Sequence, residues 1–279
     1  MMRIRYFLGM ILTLLVFSGS AQYYYKDILL PEQTRDTWKS YFSNKVKNVS
    51  IGSTEKNGEP TPGFVCTQTI SPDFRNIQTF TQSADVQSSV LQTFYDAGGR
   101  MIKTVDTSDA YKSVSEYSYN EQGALEKVQN TSMETDNQVQ ATETHHWVYK
   151  DGKPVQMIKI KNGSDTTLVS FKTDDKGKVI DERPVHGKEN LPAVYYYYDN
   201  EGRLTDIVRY NEKAGRLLPD YVFEYNAQGI SSMIYVPSGS SDYQKWIYEY
   251  NDRGLKTREQ CFNKQKELMA RISYTYSFQ

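Results

Sequence analysis

A short phrase built on a tyrosine, an acidic or amide residue and a glycine recurs along this chain and constrains its fold more than any other feature. The clearest copy, at residues 198–204, reads YDNEGRL. The phrase glycines are spaced 24 to 29 residues apart and are Gly99, Gly123, Gly152, Gly177, Gly202, Gly229 and Gly254. A nearly fixed period in this range is typical of repeat architectures.

Each phrase lies between two runs in which apolar and polar residues alternate. In the run 220–225, for example, Tyr221, Phe223 and Tyr225 occupy one face, and the other carries Asp220, Val222 and Glu224, as in half-buried β-strands. The Asp or Asn of the phrase can bond to the backbone two residues on, and glycine supplies the positive φ of a hairpin loop. We therefore predict an all-β fold, an antiparallel meander of hairpin repeats that form a strongly twisted, curled or closed sheet.

Counting back from each glycine, positions −4 and −6 are mostly aromatic and share one face of the sheet. Tyr196 and Tyr198 hold these positions in one repeat, and Phe223 and Tyr225 hold them in the next. Neighbouring repeats should therefore stack aromatic rings into columns, with roughly 0.5–1.5 kcal/mol per ring pair beyond area burial. Because one repeat cannot bury this face alone, the sheet must curl, close or pack against another element.

The first 21 residues have the pattern of a secretory signal peptide. Arg3 and Arg5 precede an apolar run at 7–17, and small residues follow at 18–21, as at a cleavage site. We predict that residues 1–21 are removed on export to the periplasm, the cell surface or the medium. No stable membrane insertion is expected after cleavage.

Residues 22–62 form an atypical segment, and residues 63–279 form the predicted repeat domain. The stretch from Pro31 to Val46 places Trp38, Tyr41 and Phe42 near one helical stripe, with Pro31 suited to a first turn. We predict a short helix there. Since terminal units of repeat arrays commonly act as caps, the helix is expected to cover one open end of the sheet.

The phrases at 198–204 and 95–101 (YDNEGRL and YDAGGRM) resemble the YD repeat of Rhs-type proteins. The resemblance covers residues 90–279 and implies long antiparallel sheets that wind into shells. The copies at Gly229 and Gly254 lack the Arg-Leu step, and the chain is too short to enclose a toxin domain, so toxin delivery is not carried over. The outline is also similar to small exported proteins of unknown function from Bacteroides-type bacteria, which implies a location and a fold but no activity.

Two cysteines, Cys66 and Cys261, fall in the first predicted strand and the last predicted hairpin. In an oxidising compartment they are candidates for a disulfide that ties the two ends of the array together. The alternative is that each is a separate, small buried residue.

Enzyme, metal and nucleic-acid functions find little support in the sequence. The net charge is −1, without the basic stripe that nucleic-acid binding needs. His145 and His146 are adjacent in a predicted strand and point to opposite faces, so they cannot chelate one metal together. Aspartates such as Asp174 and Asp199 fall at turn tips rather than in a cleft. We therefore expect no catalytic residues, cofactor or metal.

Tyr195, Tyr197 and Tyr235 lie off the main aromatic columns and are candidate ligand contacts. From this pattern we expect an exported, non-enzymatic binding or scaffold module whose partner is an unknown protein or glycan. The alternatives are a carbohydrate-binding module that uses exposed tyrosines, a hydrolase, and an outer-membrane β-barrel. Charges such as Lys245 and Glu249 on the off-column face oppose contact with lipid.

Overall fold

The fold is defined by a computed structural model that describes residues 23–84, 86–134, 140–211, 214–237 and 240–279. The predicted signal peptide, 1–21, lies outside them. One helix, α1, spans Lys26–Asn44, which is five residues earlier at its start than the sequence predicts. The strands in chain order are β1 Val46–Glu55, β2 Val65–Ile70, β3 Asn76–Ser83, β4 Val86–Tyr95, β5 Met101–Ser108, β6 Tyr111–Tyr119, β7 Leu125–Glu134, β8 Gln140–Lys150, β9 Lys153–Lys161, β10 Asp165–Thr173, β11 Val179–His186, β12 Glu189–Asn190, β13 Val194–Tyr198, β14 Leu204–Asn211, β15 Arg216–Asn226, β16 Gly229–Tyr235, β17 Gln244–Tyr250, β18 Lys256–Phe262 and β19 Leu268–Phe278.

The strands form one closed antiparallel sheet. Consecutive strands pair with each other, and β1 pairs with both β2 and β19, so the last strand returns to the first. The two-residue strand β12 lies outside the ring, because β11 pairs directly with β13. The result is an 18-strand barrel, and the closed form of the predicted sheet is confirmed. Among the described strands, each of the 18 in the ring is paired on both sides, which removes the open edges of the sheet.

All seven phrase glycines lie at one end of this barrel, here called the turn end. Each has a positive φ, for instance 77° at Gly202 and 73° at Gly99. The acidic or amide side chain bonds to the backbone as expected, since Asp199 Oδ1 accepts from the amides of Glu201 and Arg203. Each of these hairpins also carries a register shift where its phrase begins, four residues before the glycine in six of them, as at Tyr198, and three residues before Gly152 at Tyr149. Such bulges increase local twist, which helps a sheet to close.

The phrase tyrosines link neighbouring hairpins through their hydroxyl groups, a role that the sequence pattern did not reveal. Tyr225 donates to the carbonyl of Leu204, two residues after the preceding glycine, at 2.7 Å. Five further hydroxyls bond to the preceding hairpin one or two residues after its glycine, from Tyr119 to Met101, Tyr149 to Leu125, Tyr198 to Val179, Tyr250 to Ile230 and Tyr276 to Lys256. We call these six bonds the tyrosine ladder; it ties successive repeats together at the turn end.

The basic residue after the glycine covers the next tyrosine of the ladder. The Arg203 guanidinium lies 4.7 Å from the ring centroid of Tyr225, and that of Arg100 lies 5.0 Å from Tyr119. Both arginines also pair with the aspartate of their own phrase, with 2.6 Å between Arg100 Nε and Asp96 Oδ2. One side chain therefore closes its own turn and contacts the next repeat.

Helix α1 covers the turn end of the barrel. Near its C-terminus, Tyr41 donates to Gln68 of β2, and Asn44 donates to the Arg253 carbonyl between β17 and β18. Near its N-terminus the chain contacts β8 and β11, on the opposite side of the ring. A ring of 18 strands about 4.8 Å apart is on the order of 30 Å across, and a 19-residue helix is about 28 Å long. The helix thus bridges the barrel from wall to wall.

The two faces of the barrel wall differ in chemistry. Side chains that point inward pack on α1 and on one another, among them Trp147, Tyr196 and Tyr221. The outer face carries exposed ion pairs, such as Lys103 with Glu116 and Arg258 with Glu249. The aromatic columns therefore form the interior of the barrel. None of the described helices is long and apolar enough to cross a membrane.

The contact of Gly99 with Trp38 leads to a test of how α1 is seated. A Cβ at Gly99 would come 2.2 Å from Trp38 Cε3, whereas a Cβ at Gly254 meets nothing within 4 Å. Both glycines have similar positive φ values. We expect Gly254→Ala to cost about 1–2 kcal/mol of unfolding free energy, the usual penalty of a left-handed residue, and Gly99→Ala to cost clearly more. Urea unfolding measures both, and equal losses would mean that Trp38 is not packed on this turn.

The tyrosine ladder can be tested by removing one hydroxyl. Tyr225→Phe should lower the unfolding free energy by about 1 kcal/mol, because the Leu204 carbonyl loses its partner. Tyr210 is 53% exposed, and its hydroxyl bonds to no described residue, so Tyr210→Phe is the matched control and should change little. If both variants melt like the original protein, the ladder bonds add no net stability.

Candidate functional site

The N-terminal end of α1 enters the barrel interior and meets two buried acidic contacts. The first is Glu182 of β11, whose side chain is fully buried. Its carboxylate accepts from the backbone amides of Tyr24 and Tyr25 at 2.9 Å each and from the Tyr196 hydroxyl at 2.7 Å. These amides precede the helix and would otherwise lack acceptors. Burial raises the pKa of Glu182, and the three donors oppose that rise.

The second contact is an ion cluster formed by Asp27 of α1 and by Glu143, His145 and Lys159 of the barrel wall. His145 Nδ1 lies 2.5 Å from Asp27 Oδ2, and His145 Nε2 lies 3.0 Å from Glu143 Oε1. Lys159 Nζ lies 2.9 Å from Glu143 Oε2, and the Trp147 indole donates to Asp27 at 3.2 Å. We call these four residues the Asp27–His145 cluster; it joins the helix to strands β8 and β9.

The geometry of the cluster requires a protonated imidazole. Each ring nitrogen faces a carboxylate oxygen, so each must carry a hydrogen to donate. Burial alone would lower the pKa of His145, but Asp27 and Glu143 outweigh it and raise that pKa to about 9. Burial would likewise raise the pKa of Glu143, but its contacts with His145 and Lys159 lower it to about 2. His145 and Glu143 are therefore both charged throughout the neutral range.

This arrangement suits anchoring better than proton transfer. A general base needs a ring nitrogen free to reach its substrate, and in His145 both nitrogens are occupied. His186 differs, since its Nδ1 faces both Thr167 Oγ1 at 3.2 Å and Asp165 Oδ1 at 3.5 Å. In a nucleophile–base–acid relay the two partners bind opposite ring nitrogens. The His186 contacts therefore do not form such a relay.

A cavity of ≈ 150 Å³ lies beside the Asp27–His145 cluster, between α1 and two parts of the inner wall. Helix residues Lys26, Asp27 and Gln33 line one side. Strands β6 to β8 contribute polar and aromatic groups that include Tyr117 and Asn130, while β14 and β15 contribute apolar and aromatic ones. The cavity therefore combines apolar walls with a few polar groups, as small-molecule sites do.

Of the residues predicted as ligand contacts, the structure brings only one into the barrel. Tyr235 faces the interior, where its ring lies 5.2 Å from that of Tyr221. Tyr195 and Tyr197 alternate with the buried Tyr196 and so point to the outside, with Tyr197 48% exposed. The three tyrosines therefore do not form one site.

Cys66 and Cys261 are both buried and free in the structure. They lie on β2 and β18, which are separated in the ring by β19 and β1. Three strand spacings amount to about 14 Å, well beyond the roughly 7 Å between Cα atoms that a disulfide allows. The predicted disulfide is not formed, and the alternative of two separate buried thiols describes the structure.

Apart from His145, which was considered only as a metal ligand, the residues that form the candidate site were not predicted from the sequence. Asp27 and Glu143 belong to no repeated position. Glu182 lies five residues after its phrase glycine, where most repeats carry an apolar or small residue such as Val128 or Ile207 and the last carries Glu259. The one available signal was a charged residue at a position that should face the core. Among the described residues, no group of three or more His, Cys, Asp or Glu side chains is arranged to hold a metal ion.

Comparisons with known proteins give little beyond this geometry. No family model matches the chain, so the resemblance to YD repeats of Rhs-type proteins is not supported, and no curated protein matches. Among solved structures, a porin-like protein from Bacteroides uniformis ATCC 8492 is similar at 9% identity and a TM-score of 0.39, covering 83% of this chain and 98% of that one.

A second solved structure, a protein of unknown function of the DUF3598 family from Nostoc punctiforme PCC 73102, has 9% identity and a TM-score of 0.16. It covers 87% of this chain and 98% of that chain. Neither likeness is close enough to bear on function.

The expected role as a binding or scaffold module, with a glycan-binding sheet surface as its alternative, is wrong. The finding that overturns it is the closure of the sheet into an 18-strand barrel. Closure turns the aromatic columns inward and leaves no open, repeated face on which a partner could assemble.

Breaking the Asp27–His145 cluster should be far more costly than breaking a surface pair on the same helix. Asp27→Asn leaves a buried imidazolium without its closest partner, and we expect a loss of about 3–5 kcal/mol in unfolding free energy. Asp36→Asn removes the exposed pair with Lys39 and should cost under about 1 kcal/mol. Equal losses in urea unfolding would show that the cluster does not anchor the helix.

The cluster also predicts how stability depends on pH. The pKa of His145 is raised from 6.5 to about 9 on folding, so the folded state holds its proton more tightly. The raised pKa of His145 contributes on the order of 3 kcal/mol to the unfolding free energy. This stabilisation is fully present below about pH 6.5 and is lost as pH rises through about 9. Urea titrations between pH 6 and 9.5 should show the fall in the original protein and a flatter profile in His145→Gln. A parallel fall in both would exclude His145 as its source.

Proposed function

We propose that the protein is an exported, water-exposed barrel that carries a small solute in its interior. The observation that carries this proposal is the distribution of side chains in a closed ring. Aromatic residues and the cavity are inside, while charged pairs such as Lys103 with Glu116 lie outside. Large closed barrels commonly enclose a ligand cavity, and ligand sites are typically apolar cavities with a few polar groups.

Solvent reaches the interior from the end opposite α1. On β6, Tyr117 and Tyr119 share the inward face with Ser113 and Tyr111, which lie nearer the other end. Exposure rises along this face toward that end, from Ser113, which is half-buried, to Tyr111, which is 39% exposed. Polar groups accompany this exposure, since the Tyr111 hydroxyl donates to Asp106 at 3.0 Å. A solute can therefore approach the cavity through a polar interior while α1 covers the turn end.

Carriage rather than catalysis is proposed because the interior lacks a poised reacting group among the described residues. His145 is fully engaged by two carboxylates. The phrase aspartates are held by their own turns, as Asp199 is by Arg203 at 2.7 Å. Export is proposed on the signal-peptide pattern of residues 1–21.

A second candidate is an outer-membrane barrel, which the closed ring and its even number of strands favour. Strands of up to 11 residues, such as β8 and β19, are also long enough to cross a bilayer. The outer face argues against it. Arg258 and Glu249 alternate with buried interior residues along β17 and β18, and a charge facing the bilayer centre costs about 2–4 kcal/mol.

Fractionation of a Gram-negative host that expresses the full chain separates the two candidates. We expect the protein in the aqueous periplasmic fraction or the medium, shortened by about 21 residues, and monodisperse without detergent. Recovery only in the outer membrane, with detergent-dependent solubility and heat-modifiable migration, would favour the membrane barrel.

Native mass spectrometry of the purified protein then tests carriage itself. The expected result is an excess mass of a small compound that disappears when the protein is denatured. As a control, Val128→Phe should fill part of the cavity and reduce the excess. A chain that is always ligand-free, even after incubation with host extract, would contradict the carrier proposal.

A further inference from the structure

The size of the cavity limits what it can hold. At ≈ 150 Å³ it matches the engineered protein cavities of about 150 Å³ that accept benzene. Its walls include the rings of Tyr23, Tyr117, Tyr221 and Phe223, together with aliphatic side chains from β7 and β14. A single six-membered ring with one small substituent, about nine or ten non-hydrogen atoms, fits this volume.

The charges at the cavity select the substituent. Asp27 and His145 line the cavity but neutralise each other across 2.5 Å, and Glu143 behind them is paired with Lys159. Lys26 also lines the cavity, and it forms no ion pair within the described part of the chain. The lining groups therefore leave one uncompensated positive charge beside aromatic walls.

Polar groups on the opposite wall can orient such a ligand. The Asn130 side-chain amide donates to the hydroxyls of Ser113 and Ser115 at 3.2 and 2.9 Å, which uses both of its N–H groups and leaves its carbonyl oxygen as an acceptor. Asn130 and Ser115 both line the cavity. A ligand with a hydroxyl group opposite its charged end would find a partner there.

We infer that the cavity between α1 and strands β6 to β8, β14 and β15 binds a small aromatic carboxylate, with the ring between the tyrosines and the carboxylate at Lys26. This inference rests on the proposed carrier function and specifies its cargo. Benzoate and 4-hydroxybenzoate are the probes that match its volume, charge and polarity.

Isothermal titration calorimetry at pH 7 with a series of equal-sized ligands tests the charge. Benzoate should bind at least about tenfold more tightly than the neutral benzamide, which corresponds to about 1.4 kcal/mol, and benzylamine should bind weakest. This comparison uses the unmodified protein and does not depend on whether a variant folds. Equal affinity for the three compounds, or a preference for benzylamine, would overturn the inference.

Two lysine variants on the same helix test the position. Lys26→Met should weaken benzoate binding at least about fivefold, with little effect on benzamide, because only the charged ligand contacts the ammonium group. Lys39→Met is the matched control, since Lys39 is exposed and pairs with Asp36. This variant should bind benzoate as tightly as the original protein does. If both variants bind benzoate like the original protein, the carboxylate does not lie at Lys26.

Failure of the aromatic-carboxylate inference can be distinguished from failure of the carrier proposal. If native mass spectrometry finds a bound solute of another class while all ring compounds fail to bind, the cargo inference is overturned and the carrier proposal stands. If the protein proves to be a detergent-dependent membrane barrel that still binds benzoate through Lys26, the carrier proposal fails and the site remains.

Discussion

The pairing of β1 with β19 is the contact on which the rest of the structure depends. Nine residue pairs join these strands, from Val46 opposite Phe278 to Glu55 opposite Ala270, and they turn an open meander into a ring. An open sheet with this many inward aromatic rings would expose a large apolar face and unpaired edges. Closure removes both at once. It also brings the chain's last strand against the strand that follows α1, so the helix is held at the ring's seam.

Closure solves the problem of the aromatic face only in part, because a ring this wide is not filled by its own side chains. Small barrels of about eight strands fill themselves, whereas 16 to 18 strands leave an internal space. Here α1 fills the turn end, and its two halves are held by different kinds of contact. Trp38 and Tyr41 pack on rings and turns at the C-terminal half, while Glu182 and the Asp27–His145 cluster hold the N-terminal half. The buried charges are tolerated because each has an opposite charge or several donors.

The sequence predicted the local structure of the repeats well and the site poorly, for a physical reason. Turn chemistry at Asp199 and Gly202 depends on neighbours within five residues, so it can be read from one phrase. Whether the sheet curls or closes depends on how β1 meets β19, more than 210 residues away in the chain, and no local pattern encodes that contact. Asp27 and His145 are 118 residues apart. Their pairing exists only because closure places α1 across the ring, whereas the ladder tyrosines reach only 18 to 24 residues back, to the preceding hairpin.

The two ends of α1 are attached to the barrel in different ways. Its C-terminal end runs directly into β1 at Val46, and the Gln279 amide donates to the Lys45 carbonyl at 2.7 Å, so this end is fixed to the seam of the ring. Its N-terminal end is held separately, by the contacts of Glu182 with Tyr24 and Tyr25 and by those of Asp27 with His145. The ion cluster beside the cavity is therefore also the point at which the cover of the turn end is held, and the cavity and the cover depend on the same residue, Asp27.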